Sequence, residues 1–320
     1  MNLAGHDEPW REWQAALAGP RLHHGWILSG KRGTGKAAFA LKAARELVAE
    51  PGTAQPKGDH PDIIRLEPLP ASADDEKKRD EGKPYQTKRN ISVDQVRAMQ
   101  QRLTTRPTLG SRRAIIVDPA DDLEKGAANA LLKSLEEPPV GTFFLLIAHR
   151  LGRLLPTIRS RCRVLHFPRL ADAEIAAVLA REVPQASAAT CAAAVAAAGG
   201  SPGAALEFVA LDLGRAHDVM QSIATNGDPR LELRSKLADA IGARPDRQRQ
   251  LAAVELARAV VAGRMAGSSR AAIPALTKAH ADLSRLAAQA PTYNFDAGLL
   301  TMEIGGLLAS LAMPSEAGHG

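Results

Sequence analysis

The chain has 320 residues, 45% hydrophobic and 24% charged, which places it in the ordinary soluble globular class with room for two or three domains. Its 41 lysines and arginines against 35 acidic residues give a net charge of +6. This charge suits polyanionic partners such as DNA or nucleotides, although solvated basic residues explain it equally well. Only two cysteines occur, Cys162 and Cys191, so a disulfide framework and a four-cysteine zinc site are excluded.

The N-terminal sequence has neither the basic start nor the apolar core of a signal peptide. No apolar run reaches the ~18 residues that a membrane span needs. We therefore predict a cytoplasmic protein with no membrane partner.

The first half of the chain alternates short apolar runs with helical patterns, which predicts an α/β fold whose parallel sheet is covered on both faces. The predicted strands are residues 26–29, 62–66, 113–117, 142–148 and 163–167. The predicted helices among them are residues 37–50, 94–103 and 122–137.

After the first strand the sequence "GKRGTGKAAFA" has the G-x-x-x-x-G-K spacing of a phosphate-binding loop, and a helix follows it, as that motif requires. The candidate nucleotide-binding residues of this loop are Gly30, Gly33, Thr34, Gly35 and Lys36. Ala37 stands where a serine or threonine hydroxyl would bind Mg²⁺, and a methyl group cannot do so. The loop is therefore either a degenerate nucleotide site or a glycine-rich turn that binds nothing.

The strand "RAIIV" ends at Asp118, the position of the acidic residue that assists magnesium in nucleotide hydrolases. The next residue is Pro119, which cannot activate a water molecule. Asp121 with Glu124 fits a capping box of the following helix. The missing hydroxyl at 37 and the missing carboxylate at 119 together argue against ATP turnover.

Residues 70–90 form a charged insertion with no apolar periodicity, which we interpret as a mobile surface loop. Basic residues in and after it are candidates for non-specific contact with DNA phosphates, although solvated helix positions explain them as well. These are Lys88, Arg89, Arg97, Arg102 and Arg106.

Strand signals stop near residue 168. Three helices are predicted over 171–183, 187–198 and 201–210, the last two starting at Ser187 and Ser201. A larger helical set follows, including segments near 228–243, 247–267 and 301–313, of which the first starts at Asp228-Pro229. The predicted domains are an α/β domain (1–168), a small three-helix domain (169–210) and a helical domain (211–320).

The segment "NALLKSLEEPP", followed by "LLPTIRSRC", resembles the clamp-loader branch of the AAA+ proteins, and within it the delta-prime type of bacterial DNA polymerase III. "LHHGWILSG", "HPD", "ISVDQVR" and "GGSPGAAL" agree with it. The resemblance is strong from about residue 9 to 208. It implies a RecA-like nucleotide-binding domain, a helical lid and a C-terminal collar that holds subunits in a ring of five.

The resemblance also implies a role for Arg161 in "SRC": such an arginine reaches the γ-phosphate of ATP on the neighbouring motor subunit. Trans-acting arginines of this kind can contribute about 10³–10⁵ in rate. Ser160 and Cys162 would position the turn. The implied partners are gamma/tau-type motor subunits, a delta subunit, the sliding clamp and, through the complex, primed DNA. The chain would act within the DNA-directed DNA polymerase holoenzyme without ATP turnover of its own.

Two departures from relatives bear on cofactors. Residues 49–60 lack the four zinc-binding cysteines that many relatives carry, so we predict no zinc or other metal. Lys36 is retained, which leaves weak ATP or ADP binding open, although no cofactor is required. Gly203 and Ala204 stand near the place where motor subunits carry a lid arginine.

The alternatives to a clamp-loader subunit without ATP turnover are an active gamma/tau-like motor ATPase and a free-standing AAA+ nucleic-acid remodeller.

Overall fold

A computed structural model describes residues 5–50, 52–265, 267–289 and 296–312 of the chain. The chain divides into two compact units, Met1–Arg169 and Leu170–Gly320. The further split of the second unit into domains at 169–210 and 211–320 stays a prediction.

The first unit contains a five-stranded parallel sheet in the order β2-β3-β4-β1-β5. Its strands are β1 (Gly25–Ser29), β2 (Ile63–Leu66), β3 (Arg113–Val117), β4 (Thr142–Ala148) and β5 (Arg163–His166). Its helices are α1 (Asp7–Ala18), α2 (Lys36–Val48), α3 (Ala73–Asp80), α4 (Val93–Leu103), α5 (Lys125–Glu136) and α6 (Pro156–Arg159). All five strands lie where the sequence predicts them, and the predicted parallel sheet is confirmed.

Both faces of the sheet are buried, and β4 shows this by its alternation. Phe144 and Leu146 belong to a core that includes side chains of α4 and α5. Leu145 and Ile147 belong to the opposite core, with Trp13 of α1 and Phe39 of α2. Because parallel strands are covered on both faces, they read as continuous apolar runs, which is why the sequence pattern locates them well.

The charged insertion is not the unstructured loop that the sequence predicts. It contains α3, whose N-cap Ser72 accepts a hydrogen bond from the backbone N–H of Asp75, and Pro70 pairs with Thr87. The first turn of α3 is acidic and its last turn basic, which matches the helix macrodipole. This helix is stabilised by charge order and capping, and apolar periodicity does not reveal it.

In the described residues the second unit is helical. Its helices are α7 (Asp172–Glu182), α8 (Ala188–Ala198), α9 (Pro202–Ala210), α10 (Gly214–Asn226), α11 (Glu232–Ile241), α12 (Arg247–Met265), α13 (Ile273–Gln289) and α14 (Ala297–Ala309). Ser187 and Ser201 cap α8 and α9 as predicted. The predicted helix start at Asp228 is wrong: α11 begins at Glu232, after Leu231 in the left-handed conformation. Asp228 instead accepts hydrogen bonds from the backbone N–H groups of Leu233 and Arg234.

Candidate functional site

The phosphate-type loop lies at the carboxyl end of β1, and its glycines are required by its shape. Gly33 and Gly35 have φ values of +78° and +92°, which side chains disfavour. At Gly30 a Cβ atom would lie 2.4 Å from the carbonyl oxygen of Phe167. The glycine spacing of this loop is therefore explained by the fold, whether or not a phosphate binds.

Lys36 is buried, and the loop itself satisfies its ammonium group. The Nζ atom donates to the carbonyl oxygens of Gly30 (2.7 Å) and Lys31 (2.6 Å), and it lies 3.5 Å from Oγ1 of Thr34. Burial lowers the pKa of Lys36 to about 8, against the opposing charges of Asp118 and Asp121. A phosphate would have to compete with these internal partners for the lysine.

The loop carries no hydroxyl in the position that holds magnesium. Ala37 is exposed at the start of α2. The Thr34 hydroxyl is turned inward and donates to the Lys31 carbonyl oxygen (2.9 Å). The buried His6 ring donates to the Thr34 carbonyl oxygen and packs edge-on against Phe167. The segment before α1 therefore packs on the loop and supports its conformation.

Asp118 directly follows β3, at the same edge of the sheet as the loop. Burial, and next the charge of Glu67, raises the pKa of Asp118, while Arg65 and Lys36 act in the opposite direction. Pro119 follows it through a cis peptide bond. Asp118 is thus followed by a proline, which cannot activate a water molecule, as the sequence indicates.

Asp121 does not form the predicted capping box with Glu124. Its carboxylate accepts the backbone N–H groups of His149 (2.9 Å) and Arg150 (3.2 Å), directly after β4. Glu124, the residue before α5, makes no side-chain capping hydrogen bond. Asp121 therefore ties the end of β3 to the end of β4, a long-range contact that local sequence spacing cannot show.

Sequence reasoning misses His149, which the fold brings to the carboxyl edge beside the loop. Burial, and next the charge of Lys36, lowers the pKa of His149 to about 4, so its ring is neutral at pH 7. Among the described residues, its Nδ1 atom has no hydrogen-bond partner. The only signal for it in the sequence is its place directly after the apolar strand "TFFLLIA".

Arg161 lies in the turn between α6 and β5. Its NH1 nitrogen donates to the carbonyl oxygen of Thr157 (3.0 Å) and lies 3.4 Å from Oγ of Ser160. Its NH2 nitrogen forms an ion pair with Glu136, in the last turn of α5, at 2.8 Å. The Arg161 side chain remains 36% exposed.

The residues on either side of Arg161 hold this turn. Ser160 donates its hydroxyl proton to the carbonyl oxygen of Thr157 (3.0 Å). Cys162 is directed inward, and burial raises the pKa of its thiol to about 12, so it stays protonated and is a poor nucleophile. Gly25, at the start of β1, is a further residue that the sequence does not single out: a Cβ atom there would lie 2.9 Å from Sγ of Cys162.

The phosphate-type loop lies at the carboxyl edge of the sheet, where the parallel strands end, whereas Arg161 lies at the amino edge, where they begin. Gly30 follows the carboxyl end of β1, whereas Arg161 precedes the amino end of β5, which pairs with β1 in parallel. A five-residue strand such as β1 spans about 13 Å. The twelve-residue α5, which begins after the carboxyl end of β3 and ends beside Arg161, spans about 18 Å. Arg161 therefore cannot reach a phosphate held by its own loop.

The candidate DNA-contacting residues are exposed on and near α4. Arg97 pairs with Asp94 (3.5 Å), and Arg102 donates to the Pro61 carbonyl oxygen (3.1 Å). Lys88, Arg89 and Arg106 are also exposed. None of these contacts singles them out for nucleic acid.

In the described part of the chain, no three metal-ligating side chains lie close enough together to hold a metal ion. None of the described helices has the length and apolar character to cross a bilayer. At the carboxyl edge an anion would meet the N-terminus of α2 and the basic loop residues Lys31, Arg32 and Lys36, but no hydroxyl at position 37 for magnesium.

A family model described as "DNA polymerase III, delta subunit" matches residues 5–171, just over half of the chain. The DNA polymerase III subunit delta-prime of Pseudomonas aeruginosa is 37% identical over 209 residues, 61% of this chain and 58% of that protein. That of Escherichia coli is 31% identical over 222 residues, 64% and 60% of the two chains. The chain thus spans less than two thirds of the length of these relatives.

Similarity extends to other DNA polymerase III subunits. The gamma/tau subunit of Mycobacterium tuberculosis is 32% identical over 180 residues, 56% of this chain and 30% of that protein. A crystal structure of a gamma subunit-related protein from Thermotoga maritima superposes with a TM-score of 0.51 at 17% identity, covering 96% of this chain and 100% of that one. The superposition with this Thermotoga maritima protein shows a shared fold. From the family match and the delta-prime relatives, this chain belongs to the DNA polymerase III, delta subunit family.

Proposed function

We propose that this chain is a delta-prime-type subunit of the DNA polymerase III clamp loader. It would help to load the sliding clamp onto primed DNA. Its second unit would supply the helical lid and the collar of the ring. Its direct chemical contribution would be Arg161, placed against the γ-phosphate of ATP on a neighbouring motor subunit, while its own loop does not hydrolyse ATP.

The separation of the loop from Arg161 is the observation that carries this proposal. An arginine at the amino edge of the sheet can meet a phosphate only if another molecule presents one. Arg161 is partly exposed and already held by Glu136 and by the turn after α6. Its planar, permanently charged fork matches phosphate oxygens. Such an arrangement suits an interface residue that completes a neighbour's site.

The state of the carboxyl edge supports the absence of turnover. The Ala37 methyl group and the Pro119 ring replace the two groups that hydrolysis needs, and Lys36 is bonded to its own loop. Weak, metal-poor binding of ATP or ADP remains compatible with Lys36. We propose that no nucleotide, zinc or other metal is required for the chain's role.

The proposed partners are gamma/tau-type motor subunits, a delta subunit and the sliding clamp. Contact with DNA would be to phosphates and independent of base sequence. Rings of subunits need both an arginine and an ATP site at each active interface. This chain would supply the arginine but lack a working ATP site, so it would function only in a ring that also contains other kinds of subunit.

The test is the DNA- and clamp-stimulated ATPase of a reconstituted loader that contains this chain with Arg161→Ala. We expect a loss of about 10³-fold at the adjoining site, by the usual contribution of a trans-acting arginine. Arg161→Lys should recover little, because an ammonium cannot replace the fork. Arg159→Ala, which removes an exposed arginine two positions away, is the matched control and should leave turnover unchanged.

Assembly must be intact in every variant, as measured by the mass of the complex. Unchanged turnover with Arg161→Ala in an intact complex would contradict the proposal. It would leave a subunit whose "SRC" segment serves only the fold.

The similarity to gamma/tau subunits supports a second candidate, an active motor ATPase. The purified chain would then hydrolyse ATP with magnesium, and Lys36→Ala would abolish this activity. The third alternative, a free-standing AAA+ remodeller, requires a ring of identical subunits. A stable homohexamer in solution would favour it over the clamp-loader role.

A further inference from the structure

The ion pair between Glu136 and Arg161 joins two segments that are distant in sequence. Glu136 lies in the last turn of α5, and Arg161 in the turn before β5. The Oε1 and NH2 atoms are 2.8 Å apart, and the two side chains are 47% and 36% exposed. Arg161 is thus held from one side by the backbone of its own turn and from the other by α5.

Helix stability does not explain a carboxylate at position 136. The C-terminus of a helix carries the negative end of the macrodipole and favours a cation there, which disfavours Glu136 and its neighbour Glu137. Glu136 has a guanidinium partner, whereas no ion pair of Glu137 is present among the described residues. Glu136, the last residue of α5, therefore differs from the C-cap Glu137 in its contact with Arg161.

The contacts of Arg161 leave part of its fork available. NH1 is directed to Thr157 and Ser160, and NH2 to Glu136. A guanidinium has more N–H donors than these contacts use, so a phosphate oxygen can be bound while the ion pair with Glu136 is kept. A free arginine side chain samples many rotamers, and orienting it before the phosphate arrives lowers the entropic cost of reaching the transition state.

We infer that Glu136 is a positioning residue for Arg161, which holds its guanidinium in the orientation that meets a phosphate on the neighbouring molecule. This inference rests on the proposed function of Arg161. The carboxylate does not touch the nucleotide and takes no part in proton transfer. Because the pair is partly exposed, its contribution is modest and comparable to that of other surface ion pairs.

The experiment measures kcat and KM for ATP of a reconstituted loader in which only the ATP site that faces this chain is active, with four variants of this chain. They are Glu136→Ala, Arg161→Ala, the double variant and the matched control Glu137→Ala. We expect Glu136→Ala to lower kcat about three- to fivefold without changing KM, the size expected for an exposed ion pair. Glu137→Ala should leave kcat unchanged.

The double variant separates positioning from a structural role. If Glu136 acts through Arg161, its removal has no further effect once Arg161 is alanine. An equal loss in both backgrounds would overturn the inference, because it would report a change in the fold or the assembly. Wild-type kcat in Glu136→Ala would overturn it as well.

Glu136→Gln provides the conservative rescue, since its amide oxygen can still accept the hydrogen bond from NH2. We expect kcat within about twofold of wild type. A glutamine variant as slow as the alanine variant would overturn positioning by this hydrogen bond. Unchanged turnover in Arg161→Ala alone would instead reject the proposed function, so the two failures are distinguishable.

Discussion

The two edges of the sheet in the first unit differ in how their functional residues are held. At the carboxyl edge Lys36 is buried, bonded to backbone carbonyl oxygens and surrounded by glycines that the fold requires. At the amino edge Arg161 is partly exposed and held by a carbonyl oxygen of its own turn and by an ion pair with Glu136. Under the proposed function, the loop motif persists for stability at one edge while the chemistry depends on Arg161 at the other.

This comparison leads to opposite expectations for substitutions at the two edges. Changes at the carboxyl edge should lower the free energy of unfolding and leave the turnover of the loader intact. Changes at Arg161 and Glu136 should lower turnover and leave the chain's thermal stability nearly intact. A substitution at one edge that lowered both the free energy of unfolding and the turnover would contradict this expectation.

The largest stability effect is expected for Gly30→Ala. The added Cβ atom would lie 2.4 Å from the Phe167 carbonyl oxygen, so the backbone of β1 or β5 must move. We expect a loss of about 3 kcal/mol in the free energy of unfolding, measured by chemical denaturation. Gly152→Ala, where no atom lies within 4 Å of the added Cβ, is the control and should cost far less. Equal stability of the two variants would contradict the structural explanation of the glycine.

A smaller effect is expected for Lys36→Met, which keeps an unbranched side chain and removes the ammonium. The carbonyl oxygen of Gly30 loses this donor and that of Lys31 keeps only the Thr34 hydroxyl, at a cost of about 1–3 kcal/mol. Loader turnover should be unchanged, since under the proposed function the loop is not used for hydrolysis. Lys133→Met changes an exposed lysine of α5 and is the control. Loss of turnover with Lys36→Met in an intact complex would show that the loop takes part in the reaction.

The smallest effect is a pH dependence at His149. Its pKa of about 4 in the folded chain lies below the ordinary 6.5, so the unfolded chain binds more protons between these values. Stability is therefore lost as the pH falls from 6.5 to 4. His149→Asn should reduce this loss, measured as the difference in melting temperature between pH 7 and pH 5. The same difference in both proteins would mean that other groups control the acid sensitivity.

Sequence patterns locate the sheet of this chain because its strands are buried on both faces. Sequence patterns miss structure that depends on capping, on the order of charges or on hydrogen bonds between separated residues. The helix α3 has a capped, charge-ordered sequence with no apolar stripe. The start of α11 depends on a left-handed Leu231 and on Asp228 reaching past it, against the cap-plus-proline pattern.

The candidate site is predictable to the extent that it depends on local motifs. The spacing of Gly30 and Lys36 and the absence of a hydroxyl at Ala37 can be seen in the sequence. The contacts of Asp121 with the end of β4, and of Glu136 with Arg161, join residues that only the fold brings together. For the same reason, the opposite placement of Arg161 and the loop becomes visible only with the sheet topology.

The role of Arg161 is tested most directly in a loader in which the other motor sites are inactivated by substitution of their own phosphate-loop lysines. Only the ATP site that faces this chain then hydrolyses ATP. Single-turnover hydrolysis at that site should fall about 10³-fold with Arg161→Ala, with the mass of the complex and the melting temperature of the chain unchanged. Hydrolysis at the wild-type rate would contradict the account, because the neighbour's site would then be complete without this arginine.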